Sequence, residues 1–326
     1  MARPRKLRKD LPECVYFKNG AYYFVKNNKW SKLDRDYNEA MVRWAKLIDA
    51  PKSSSIKTVG ALLDRYFLEV VPGKSERTQK DNRIEARWLR AFFGDMGIES
   101  VSAPHIAEYL STRTAKTRAN REVALLSHAF SKAIVWGLTK TNPCAARGIR
   151  NKEVARDRYV TDEEVKEFET LCPPWLVAYI EIKLLTGMRQ QDLLALEWSD
   201  IDSEGISVCP IKTQRTTRKK IKIELTEELS QLLNALPNTS KTVFATRSES
   251  MYTSSGFGSI WRRLMTKFVS SGNTRFHEHD LRGKVATDLN DKNAAQSLLG
   301  HATATTTERY IKQRQTNLVK PARRKK

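Results

Sequence analysis

Acidic residues are too few to balance the basic ones in this chain of 326 residues: 37 Asp and Glu stand against 58 Lys and Arg, a formal charge of +21. A surface so short of negative charge repels acidic partners' opposites and favours a polyanion, for which nucleic acid is the default. Cysteine is also sparse. The four residues Cys14, Cys144, Cys172 and Cys209 lie far apart with no CxxC pair, which argues against a zinc site and fits a reducing cytosol. Long apolar runs are missing as well. The most apolar one, "WLVAYIEIKLL" at 175–185, carries Glu181 and Lys183 and is too short to span a bilayer. The basic N-terminus has no apolar segment behind it, so it does not read as a signal peptide. No internal repeat or low-complexity block is present.

What is present is basic charge in every part of the chain: "RPRKLRK" at 3–9, the stretch 74–90, "KTQRTTRKKIK" at 212–222 and the tail "ARRKK". Charge distributed in this way suggests a protein that wraps its partner. Three domains are expected, at 1–52, 56–150 and 151–326. In the first, β-prone runs flank Asn19-Gly20 and Asn27-Asn28; Asn-Gly between apolar runs is a hairpin signal because both residues tolerate positive φ. Ala40, Met41, Trp44, Leu47 and Ile48 then follow at helical spacing, and Pro51 with Ser53 to Ser55 reads as a linker.

The second domain reads as all-helical. Val59, Leu62, Leu63, Tyr66, Phe67, Val70 and Val71 form one apolar face, stopped by Pro72-Gly73. A second helix is expected to bury Ile84, Trp88, Leu89, Phe92 and Phe93, a third covers 104–110, and a fourth, 117–136, carries Val123, Leu126, Phe130, Ala133 and Ile134. The charged, aperiodic segment 147–158 reads as a linker. The third domain opens on "TDEE" at 161–164, a capping box, continues through the apolar helix 176–185, and holds an alternating segment, "ISVCPIKTQRTTRKKIKIEL", that reads as a β-hairpin with a basic turn. The expected fold is therefore mainly α with small β elements.

Singly, the candidate residues have ordinary explanations: Arg189 after Gly187 as a helix cap, His279 and Arg282 as a pair on one helical face, His301 beside a Gly300 cap, Tyr310 as core. Together and in order they do not. "LLTGMRQQDLLALEW", a basic hairpin with Lys212, "HDLR", "LLGH" and a tyrosine nine positions after His301 resemble the catalytic domain of the tyrosine recombinases, the family of phage lambda integrase and the Xer and Cre recombinases. The helical segment resembles that family's core-binding domain and the first segment its small arm-binding domain, giving a mixed α+β catalytic domain behind a helical bundle and a small sheet-plus-helix domain.

The chemistry accounts for the residue types independently. Cutting and rejoining a DNA phosphodiester without an energy source requires that the bond be stored covalently, and a tyrosine can serve as the nucleophile. Its phenol titrates near pH 10, so it needs a proton acceptor and an electrophilic phosphate. Guanidiniums suit the negative charge gathering on the non-bridging oxygens, and Arg189 and Arg282 are the candidates. A lysine on a hairpin suits protonation of the departing 5′-oxygen; the resemblance gives this role to Lys212, with Lys219 and Lys220 as neighbouring competitors. It makes His279 a proton acceptor or phosphate ligand, His301 a phosphate donor, and Asp192 a support, at a place where the family more often has glutamate. Thr305 and Glu308 resemble a capping box, which would put Tyr310 in a short helix. After "HDLR" the family commonly has His-Thr, whereas this chain has Gly283-Lys284.

Candidate DNA contacts are Arg3, Arg5, Lys6, Lys80, Arg83, Arg87, Arg118, Arg215, Arg218, Lys219 and Lys220. The resemblance implies double-stranded DNA with core- and arm-type attachment sites as partner, a homotetramer on paired sites, DNA-bending accessory proteins and an excision factor, and work in the cytoplasm of a bacterial host. It implies no metal, cofactor or membrane. Leu318 and Val319 are the only adjacent apolar pair after Lys312 and suit docking against a neighbouring protomer. Two other readings compete: a type IB topoisomerase or telomere resolvase with related chemistry, and a non-catalytic DNA-binding regulator on the same scaffold. The second would be expected to lose Tyr310 or an arginine, and both are kept.

Overall fold

The computed structural model describes residues 11–12, 14–26, 29–48, 56–154, 156–211 and 220–311. The chain divides into two units, Met1–Val154 and Ala155–Lys326. Among the described residues no helix is long and apolar enough to cross a membrane.

The first unit begins with an antiparallel sheet of β1 (Val15–Lys18), β2 (Ala21–Lys26) and β3 (Lys29–Lys32). Asn19 and Gly20 form the first turn, at φ 49° and 71°, the double positive φ that a tight hairpin of this twist requires. The Asn27-Asn28 turn lies outside the described residues. One sheet face places Val15, Tyr22 and Phe24 on Ala40, Met41 and Trp44 of helix α1 (Tyr37–Ile48). Leu47, expected on the buried face, is exposed.

A helical bundle follows: α2 (Val59–Glu69), α3 (Glu76–Phe93), α4 (Ala103–Thr112) and α5 (Lys116–Val135). Thr58 caps α2 through its side chain, and Val59, Leu62, Leu63, Tyr66 and Phe67 are buried as their spacing requires. Helix α3 differs from expectation. Ile84 and Trp88 are 54% and 48% exposed, and the buried stripe is Asn82, Glu85, Ala86, Leu89 and Phe93. Two polar residues face inward because partners meet them there. The Lys74 ammonium donates to Asn82 (2.9 Å) and to the Tyr66 hydroxyl (2.6 Å), and the Asn82 amide donates to Glu85 (2.9 Å). Trp88 instead stacks beneath the Arg113 guanidinium at 3.9 Å. Ile134, at the end of α5, is likewise exposed.

The second unit opens on α6 (Asp162–Glu169), where Thr161 and Glu164 make the reciprocal capping box. Helices α7 (Pro174–Thr186) and α8 (Gln190–Leu194) lead to the antiparallel pair β4 (Gly205–Val208) and β5 (Ile221–Glu224). Then come α9 (Glu227–Asn234), α10 (Ser254–Ser270), α11 (Glu278–Asp288), α12 (Lys292–Leu299) and the short α13 (Ala304–Glu308). Phe168, Trp261, Phe268 and Phe276 form an aromatic centre with neighbouring ring centroids 4.8–5.9 Å apart, in edge and tilted contacts that add to plain area burial. Among the described residues the fold is mainly helical with two small sheets.

Candidate active site

Two left-handed glycines shape the site. Gly187 ends α7 and Gly300 ends α12, each at φ 60°. A Cβ on Gly187 would lie 2.6 Å from Leu299 Cδ2, and one on Gly300 would lie 2.2 Å from Ile221 Cδ1 of β5. No other residue type fits either turn without displacing its neighbour.

Arg282 of α11 reaches both turns. It is 2% exposed. Its Nη1 donates to the Gly187 carbonyl, and its Nη2 to the Leu299 carbonyl (2.7 Å) and to His301 Nε2 (3.1 Å). A guanidinium only donates, so His301 Nε2 is the acceptor, and its Nδ1–H donates to Thr307 Oγ1 at 3.0 Å. Arg282 Nε is buried without a hydrogen-bond partner among the described residues, as are Arg90 Nε and Arg158 Nε elsewhere; beside Tyr310 it is a donor that an incoming acceptor can take. Burial and the nearby Arg189 charge push the Arg282 pKa down to about 10, which leaves it charged at neutral pH.

Tyr310 sits against this cluster. Its hydroxyl is 2.9 Å from His279 Nε2. Its ring lies 4.8 Å from the His301 ring and 5.5 Å from the Arg282 guanidinium carbon. His279 keeps solvent access; partial desolvation of its ring, then the Lys183 charge, lowers its pKa from the ordinary histidine value. The shift favours the neutral imidazole, the form that accepts from the tyrosine hydroxyl. The phenol belongs to the turn after α13 and packs on Ala286, Ala295 and Leu299. The capping-box expectation is corrected here. Thr303 is the N-cap of α13, so Thr305 falls inside the helix, and Glu308 pairs with Lys292 at 3.4 Å. The run of threonines hides which one starts the helix, since each is a competent cap.

Arg189 lies at the N-cap of α8, 19% exposed in its side chain and 3.9 Å from Asp192. The Asp192 carboxylate accepts the Ile211 backbone N–H at 2.8 Å. That bond anchors the residue just before Lys212, while Ile221, against Gly300, anchors the far side of the hairpin. Lys212, Arg215, Arg218 and Lys219 lie outside the described residues, as do Arg3, Arg5, Lys6 and the Leu318-Val319 pair. Lys80, Arg87, Arg118 and Lys220 are exposed. Arg83 is engaged within the chain, 2.5 Å from Glu39.

Three buried residues escaped the sequence reading. Lys183 and Glu278 form an ion pair behind the site, at 2.6 Å. Lys284, the departure after "HDLR", is 2% exposed and binds Asp162 (2.7 Å), Asp288 (2.9 Å) and the Tyr159 hydroxyl (3.1 Å). It fastens the start of α6 to α11. Lys183 in a mostly apolar helix was the available signal, and Asp288 one turn beyond Lys284 another; Glu278 and Asp162 are too distant in sequence to be read as partners.

Comparison with known proteins identifies the family. Residues 158–317 match the phage integrase family. The integrase of Escherichia phage HK022 is 26% identical over 338 residues, covering 93% of this chain and 94% of the relative. The integrase of Escherichia phage lambda is 27% identical over 343 residues with the same coverage. Among solved structures, a lambda integrase dimer bound to a COC′ core site superposes with a TM-score of 0.67 at 25% identity, covering 96% of this chain and 99% of that one. A lambda integrase tetramer bound to a Holliday junction gives 0.68 at 25% identity, covering 97% and 99%. The chain belongs to the phage integrase family and is a site-specific tyrosine recombinase of the lambda integrase type.

Proposed function

We propose that Tyr310 attacks a DNA phosphate and becomes joined to the 3′ end, releasing a 5′-hydroxyl that later reverses the step on a new strand. The observation that carries this assignment is the Tyr310 hydroxyl 2.9 Å from His279 Nε2, inside a pocket of Arg282 and His301. His279 takes the phenolic proton as the O–P bond forms. Arg189 and Arg282 hold the non-bridging oxygens, Arg282 through its unpartnered Nε among other donors. His301, accepting from Arg282 Nη2 and donating to Thr307, holds the guanidinium in place beside those oxygens. As the P–O5′ bond breaks, Lys212 protonates the leaving oxygen. Its anchors, Ile211 on Asp192 and Ile221 on Gly300, support that role. The experiment for the nucleophile closes the Discussion.

For the general acid, a substrate with a 5′-bridging phosphorothiolate needs no proton on its leaving group. Lys212→Ala should cleave normal DNA slowly and this substrate at close to the wild-type rate. Rescue at Lys219 or Lys220 in its place would move the acid to that residue.

The substrate we assign is double-stranded DNA carrying attachment sites, acted on by a tetramer with accessory DNA-bending proteins and an excision factor, in the cytoplasm of a bacterial host at its nucleoid. The working division is 1–52 for arm-type sites, 56–150 for the core site and 151–326 for catalysis. Support for the first is the outer face of its sheet. Tyr16 and Tyr23 lie 5.6 and 5.9 Å from Trp30, and Lys18 lies 5.3 Å over the same ring, an aromatic and basic surface suited to a nucleic acid. Helix α1 packs on α2 and pairs with α3 through Glu39, so surface substitutions disturb less than truncation. Lys18→Glu/Trp30→Ala/Lys32→Glu should keep core-site cleavage and lose recombination of full attachment sites. Normal full-site recombination by this variant would remove the arm-binding role. A topoisomerase reading lacks a place for this domain and is not favoured.

A further inference from the structure

Behind the site, helix α7 carries an ammonium with no access to solvent. Lys183 is 0% exposed; its Nζ lies 2.6 Å from Glu278 Oε1 and donates to the Met188 carbonyl at 2.7 Å. The Tyr179 hydroxyl donates to the same Glu278 oxygen at 2.6 Å. A carboxylate receiving two such donors is satisfied, which is the condition for tolerating buried charge. The location is what matters. Met188 precedes Arg189, and Glu278 precedes His279 as the first residue of α11. One ammonium therefore joins the backbone carrying the phosphate-binding arginine to the helix start carrying the proton acceptor. Burying an ion pair is a poor route to stability, since apolar residues of similar volume usually serve as well or better. Packing alone does not call for it.

We propose that the Lys183–Glu278 ion pair is a positioning unit for the recombination chemistry, fixing Arg189 and His279 relative to one scissile phosphate and setting the electrostatic environment of His279. The assignment rests on the roles given above to those two residues. Tyr310, from the turn after α13, faces the His279 ring, and the charges acting on it are Lys183 from α7 and Glu278, Asp280 and Arg282 from α11; Asp280 is itself paired with Arg156. Lys183 and Arg282 disfavour the imidazolium, while Glu278 and Asp280 favour it. Removing one member of the pair leaves the other uncompensated, so the two removals act on His279 in opposite directions.

Single-turnover cleavage of a nicked core-site duplex by the full-length protein, followed across the acid range, tests this. His279 must be neutral to accept the proton, so cleavage falls as pH drops through its pKa. Lys183→Met should move that acid limb to higher pH, and Glu278→Gln to lower pH, with core-site Kd unchanged in both. The double variant Lys183→Met/Glu278→Leu keeps an apolar filling should a single variant fail to fold. It should bind DNA normally, place the limb between those of the singles, and cleave more slowly by on the order of 100-fold, the effect of displacing reacting groups by about 1 Å. A folded double variant cleaving at the wild-type rate overturns the proposal. So do folded single variants whose limbs stay where the wild type has its own. His279→Ala separates this result from failure of the underlying roles. A limb that survives that substitution rejects His279 as the acceptor, and the pair is then judged by the double variant's rate: a loss sustains it as a positioning unit, an unchanged rate ends it.

Discussion

Arg189→Ala should bind core-site DNA nearly as well as the wild type and cleave it on the order of 100- to 1,000-fold more slowly, the loss of about 2.7–4 kcal/mol that follows removal of one donor to a developing oxyanion. The structure makes this a clean substitution. Among the described residues the Arg189 side chain has one ion-pair partner, Asp192 at 3.9 Å, and a like-charged neighbour in Arg282, and no side-chain hydrogen bond ties it into the fold. Arg282→Ala should lose at least as much cleavage and also stability. Its guanidinium serves the carbonyls of Gly187 and Leu299, and a buried acceptor left unmet costs about 1–3 kcal/mol. Single-turnover cleavage with thermal unfolding of both variants checks the distinction. Equal destabilisation by the two, or a cleavage rate near wild type in either, would contradict the assignment. Arg282→Lys should not rescue, because an ammonium cannot hold two carbonyls and a phosphate with a planar fork.

Tyr310→Phe has the largest expected effect, complete loss of covalent complex. The phenyl ring retains the packing on Ala286, Ala295 and Leu299, so the fold and DNA binding should survive. The lost hydrogen bond to His279 is a partly solvated one worth about 0.5–1.5 kcal/mol. A nicked substrate that releases a short strand after cleavage should accumulate protein–DNA adduct with wild type and none with this variant. Persistence of the adduct would mean another residue is the nucleophile.

The order of the motifs made the candidate constellation legible because its members sit at turns or helix starts that have their own sequence markers. Gly187 and Gly300 are needed for their positive φ, and "HDLR" opens α11. These marks lie within a few residues of Arg189, His301, His279 and Arg282. The Asn19-Gly20 hairpin was legible for the same local reason. What escaped depends on distant partners. Glu85 and Asn82 face inward in α3 only because Lys74 and Tyr66 meet them, so apolar periodicity assigned the buried face to Ile84 and Trp88. Lys183 is buried because Glu278 arrives from another helix, and Lys284 because Asp162 does, with Asp288 one turn along α11 completing its ion pairs. The start of α13 was ambiguous because four threonines compete as its cap.

The central claim is that Tyr310 carries the DNA. The most direct measurement is digestion of the wild-type adduct formed on a nicked core-site duplex, followed by mass spectrometry of the nucleotide-bearing peptide and analysis of both new DNA ends. The account predicts a single modified residue, Tyr310, joined to a 3′-phosphate, with a free 5′-hydroxyl on the released strand. Nucleotide on any other residue, or a link through a 5′-phosphate, would contradict it.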